Sequence, residues 1–149
     1  MAKQPDKKET FSAVEKEAMK ARAAELRAEK AKAAKADPAG AFHEAVEALA
    51  EPERSMAKRL DALVRGAAPA LQQKTFYGMP AWARPDKAGK VVCFFQSAAK
   101  FKVRYSTFGF QEAAALDEGT FWPTAYALTK LTPAVEARIR ALVEQAARA

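Results

Sequence analysis

Val91 to Gln96, VVCFFQ, is the stretch that most narrows what this chain can become. Both parities are apolar: Val91, Cys93 and Phe95 on one side, Val92 and Phe94 on the other. A short β-branched and aromatic run bounded by Gly89 and Ser97 predicts a strand buried on much of both faces, and therefore a central one. Lys100 to Tyr105, KFKVRY, alternates strictly, with Phe101, Val103 and Tyr105 opposed to Lys100, Lys102 and Arg104. That period of two predicts a half-buried strand carrying its three cations on one face. Ser97-Ala98-Ala99 is short enough to join the two runs as an antiparallel hairpin. Upstream, Gly78 tolerates a positive φ and Pro80 pushes Met79 towards an extended conformation. Either a strand bends there and resumes through Trp82, or a loop crosses the end of the sheet. Pro85 to Gly89 reads as a turn.

Helical patterns flank this region. Asp37-Pro38-Ala39-Gly40 marks a boundary between a polar extension, residues 1–39, and a domain, residues 40–149. Residues 1–10 are polar and expected to be unstructured. Ser12 and Glu15 fit a capping box, opening a run rich in Ala, Glu, Lys and Arg that ends near Lys35. Val14, Met19 and Leu26 are isolated in that run, which predicts a solvated helix. A basic arm that folds on nucleic acid is the functional alternative. Beyond the boundary, Phe42, Val46 and Leu49 share one helical face. Pro52 suits a helix start, and Met56, Leu60, Leu63 and Val64 form the next stripe. At the far end, Thr132 caps and Pro133 opens a helix whose stripe is Val135, Ile139, Leu142 and Val143. Thr124 to Leu128 reads as a fourth strand. Between Ser106 and Gly119 the pattern is weak, with a helical turn expected at 113–116. The order α-α-β-β-β-β-α predicts an α+β, two-layer sandwich: an antiparallel sheet with helices packed on one face, plus the solvated N-terminal helix.

The 149 residues carry a net charge of +7, from 25 basic and 18 acidic side chains. Lys74 to Arg104 holds seven of the basic groups and a single acid, Asp86. A basic surface so placed attracts nucleic acid, phosphate ligands or anionic membranes, or simply keeps the protein soluble. One cysteine excludes an internal disulfide and suits the cytoplasm. MAKQPDKKET lacks the apolar core of a secretory signal, and no apolar run reaches membrane-spanning length, so no membrane partner is expected.

Tyr-Gly-Met-Pro-Ala-Trp at 77–82, the Lys90-Val-Val-Cys-Phe-Phe run and Lys100 to Tyr105 together resemble the YdhG-like family of small bacterial domains. Trp122-Pro123-Thr124-Ala125 and the helix after Leu131-Thr132 extend the resemblance, which covers about residues 40–148. Some members are described as frataxin-like intracellular iron chaperones. The resemblance thus implies an α+β sandwich, an acidic iron-binding surface and a protein that receives the iron.

Four constellations bear on chemistry. His43, Glu47 and Glu51 are spaced by four, with Glu44 beside them, on the helical face opposite Phe42, Val46 and Leu49. One imidazole among carboxylates suits a hard or borderline cation such as iron; it also describes an ordinary solvated face. Lys100, Lys102 and Arg104 form a basic row with Lys74, Arg84 and Lys90 near in sequence. Such a row holds a phosphate, a carboxylate or single-stranded nucleic acid, or it guards an edge strand against aggregation. Trp82, with Tyr77, Phe121 and Trp122, forms a ligand pocket wall or seals the core. Finally, the chain has no phosphate loop, dinucleotide fingerprint, nucleophile elbow or zinc-protease motif. Cys93 and His43 fall on different elements, so no catalytic residue is assigned. The expectation is a non-enzymatic binding protein with no cofactor beyond iron. The alternatives are an anion- or nucleic-acid-binding module and a small-molecule-binding domain.

Overall fold

The structure is a computed structural model that describes residues 13–148. The chain divides into two units, ending at Ala36 and beginning at Asp37. In the first, helix α1 spans Ala13–Ala36. Val14, Met19 and Leu26 are open to solvent, as their isolation predicts. The proposed Ser12 cap and the tail before it lie outside the described residues.

The second unit is the α+β domain. Helix α2, Pro38–Glu47, starts at Asp37, whose carboxylate accepts from the Gly40 amide at 3.0 Å. Helix α3 spans Glu53–Ala67. The sheet follows: β1 (Gln72–Phe76), β2 (Met79–Ala83), β3 (Val91–Gln96), β4 (Ser106–Phe110) and β5 (Ala125–Leu128). A single turn of helix, α4 (Ala98–Phe101), lies between β3 and β4. Helix α5, Pro133–Ala146, closes the domain, and the Thr132 hydroxyl accepts from the Val135 amide. All strands pair antiparallel in the order β1-β2-β3-β4-β5, which puts VVCFFQ in the centre.

The register separates two sheet faces. Trp82 lies opposite Cys93 and Cys93 opposite Phe110; Phe95 lies opposite Phe108 and Phe108 opposite Tyr126. This face meets the helices. Trp82, Phe95, Phe108, Phe42, Leu60 and Val143 are almost wholly buried in one cluster. The Trp82 ring meets Phe42 edge-on at 5.5 Å, and its indole N–H donates to Asp61 on α3 at 3.0 Å. The Gln73 amide donates to the same carboxylate, so one acid ties α3 to two strands. Arg59 on α3 grips Glu136 on α5 with two bonds, of 2.8 and 3.0 Å.

The other face runs from Lys74 through Ala81 and Phe94 to Gly109 and Ala125. Phe94 is half-buried there and its ring lies over Gly109.

Three expectations are corrected. Lys100 to Tyr105 is not a strand. The Ser97 hydroxyl accepts from the Lys100 amide and the Ser106 hydroxyl from the Ala98 amide. These bonds hold the backbone in a helical turn that Lys102 ends in the left-handed region, φ 54°. Serine hydroxyls compete in this way with ladder formation. The strand pairing with β3 is 106–110, and its alternating Phe108 and Phe110 were its sequence signal. Near Gly78 the chain makes neither a bent strand nor a crossing loop but a hairpin between β1 and β2. Tyr77 and Gly78 have φ of 50° and 77°, matching the two-residue turn that suits strand twist. The segment 113–116 forms a turn, a bend and irregular backbone, not helix.

Candidate functional site

The acidic helix is not a ligand cage. Helix α2 ends at Glu47, so Glu51 leaves the face that carries His43 and Glu44. Glu47 is gripped by Lys58 at 2.9 Å, which holds its carboxyl below the ordinary range. Glu51 accepts from the Ser55 amide and from Arg54, both at 3.2 Å. The Ser55 side chain chiefly lowers its pKa, with the Ser55 amide and Arg54 adding to it, and the amide bond lets this carboxylate serve the first turn of α3. His43 and Glu44 are exposed. Among the described residues no group of three or more His, Cys, Asp or Glu side chains is placed to hold a metal ion.

The three cations expected on one strand face and the three near them in sequence do not form one surface. Arg84 turns inward, where its guanidinium donates to the carbonyls of Ala113, Ala146, Ala147 and Arg148 at 2.8–3.2 Å. It thereby caps the carbonyl end of α5, where a cation meets the negative end of the helix dipole. Lys74 donates to the Gly89 carbonyl, and Lys90 pairs with Glu112 at 3.6 Å. Lys100 donates to the Gly78 carbonyl at 3.2 Å, which fastens α4 beside the β1–β2 turn.

What remains is a continuous exposed strip. All six residues from Lys100 to Tyr105 are exposed, the apolar ones included: Phe101 at 40%, Val103 at 48% and Tyr105 at 38%. Lys100 lies 5.8 Å from the Phe101 ring centre and Arg104 5.1 Å from that of Tyr105. Among the described residues, Lys102 and Arg104 make no ion pair. The turn held by Lys100 presents Tyr77, 86% exposed, with its ring 4.7 Å from that of Phe76. Cations interleaved with rings, unopposed by carboxylates, can engage phosphates and stack bases.

The two tryptophans part company. Trp82 is wholly buried in the core. Trp122 is half-buried and lines a cavity of about 400 Å³. Cys93 is buried, and desolvation drives its thiol pKa far upward, so it offers no nucleophile.

Comparison with protein-family models, with curated proteins and with solved structures returns no match. Among the described residues no helix is long and apolar enough to cross a membrane.

Proposed function

We propose that the α+β domain is a non-enzymatic binding protein of the cytoplasm that takes an anionic polymer, single-stranded nucleic acid, on the strip Lys100 to Tyr105. The carrying observation is the exposure of all six of these residues, three cations alternating with three apolar side chains. A strip serving only solubility has no need of three exposed apolar groups. Tyr77 supplies a fourth beside it. Iron binding, implied by the YdhG-like resemblance, draws less support, because cations already occupy Glu47 and Glu51.

The test is a salt series with fluorescently labelled single-stranded DNA and the full chain. The logarithm of affinity should fall with that of salt concentration by about 0.7 for each phosphate neutralised. Lys102→Glu with Arg104→Glu should weaken binding and flatten that slope. Tyr77→Ala should weaken binding at an unchanged slope, since stacking is worth about 1–3 kcal/mol per base. Equal affinity and slope in the double charge reversal would remove this strip from consideration. Ferrous iron, titrated anaerobically, provides the competing arm.

A further inference from the structure

The cavity beside Trp122 has a chemistry opposite to that of the strip at 100–105. Its wall includes Phe110, Gln111, Glu112, Asp117, Trp122 and Thr124, and no basic residue lines it. In a chain of net charge +7, this is a local concentration of carboxylate and aromatic surface. Its volume of about 400 Å³ falls within the range of small-molecule sites.

The walls are pinned by the backbone. The Gln111 amide donates to Val92 on β3, and the Ala115 amide donates to Ala146 on α5. Arg84 grips the Ala113 carbonyl between them, and buried Ala114 and Leu116 anchor the same loop. On the opposite wall the Phe110 amide donates to Thr124 at 2.7 Å. The cavity is therefore preformed, which lowers the ordering cost of binding. Glu112 is partly neutralised by Lys90 at 3.6 Å. The Asp117 side chain makes no hydrogen bond or ion pair among the described residues, so it is open to a ligand.

We infer that this cavity binds a small organic cation, an alkylammonium or guanidinium compound, with its charge between the Asp117 carboxylate and the indole face of Trp122. An indole is the best of the aromatic rings for such a cation, and a nearby carboxylate adds direct charge pairing. A metal ion is the poorer fit: two carboxylates are too few for a cage, and no group of three metal-ligating residues occurs among those described. The cavity's size also calls for an organic body around the charge. The inference stands apart from the nucleic-acid reading, which rests on other residues and the opposite charge.

Isothermal titration of the full chain with tetramethylammonium and with spermidine, at constant ionic strength, tests it. tert-Butanol serves as an uncharged analogue of the first. Saturable binding of at least one cation, with no heat from tert-butanol, is the expected result. Asp117→Asn should weaken that binding roughly tenfold, and Trp122→Phe should weaken it less than Trp122→Ala. Asp117 is exposed, so its variant keeps the fold even should the Trp122→Ala protein fail to. Absence of saturable binding, equal heat from tert-butanol, or unchanged affinity in Asp117→Asn would each overturn the inference.

Discussion

At the scale of single residues, the domain rests on a few side chains with no freedom to change. Phe95 is fully buried in the central strand, so Phe95→Ala should cost about 3–5 kcal/mol in urea unfolding. Among the described residues the buried Trp82 indole N–H donates to Asp61, and Asp61→Ala leaves that donor unpaired at a cost of about 1–3 kcal/mol. Gly109 makes a subtler case. A Cβ there would meet the Phe94 ring at 2.5 Å, a distance real Cβ atoms do not show. The ring covers a glycine across the strand pair, much as aromatic residues rescue glycines in sheets. Gly109→Ala should therefore lower the melting temperature in the native background and do much less harm in Phe94→Ala. Strictly additive losses in the double variant would show that the ring is not what the methyl group meets.

At the scale of elements, the helices and the central strand were legible because their signals are patterns of burial. Phe42 with Val46, and Leu60 with Val64, repeat at helical spacing because one side of each helix meets the sheet. VVCFFQ is apolar on both parities because strands flank it and helices cover one face. Lys100 to Tyr105 misled for the converse reason: its alternation opposes two kinds of exposed residue, and a period of two in exposed side chains carries no information about pleating. The decisive groups were the hydroxyls of Ser97 and Ser106, whose bonds to nearby amides are indistinguishable in sequence from any loop serine. The candidate sites were legible only in composition. Nothing local in the sequence says that Arg84 reaches the end of α5, since its partners lie up to 64 positions away. That reach predicts the behaviour of one variant. Arg84→Lys keeps the charge but cannot fork to four carbonyls. It should lower the melting temperature and speed amide exchange in the last turn of α5 and at 113–115.

At the scale of the whole molecule, the positive excess is spent unevenly. Of the basic residues between Lys74 and Arg104, Arg84, Lys74 and Lys90 hold carbonyls or an acid, and the exposed strip at 100–105 keeps Lys102 and Arg104 unopposed. On the helical layer the pairing is closer to balance, and there pH gives a handle on how the layer holds together. Arg59 joins α3 to α5 through Glu136, and that bond is the chief reason the Glu136 carboxyl sits below its ordinary value of 4.5. A carboxylate with a lowered folded-state pKa contributes stability above the unfolded value, and the contribution fades as pH falls through the folded one. Glu136→Gln removes it. The variant should melt below the native protein at neutral pH, and the difference should shrink as pH drops below 4.5, where the unfolded chain takes up the proton first, and vanish once native Glu136 takes it up as well. Because Glu136 lies near the protein surface, added salt should narrow the same gap at neutral pH. Melting curves of both proteins across pH 7 to 3, in low and high salt, would show this convergence. A gap that stays constant with pH would mean that the glutamate side chain supports α5 through packing rather than through its charge.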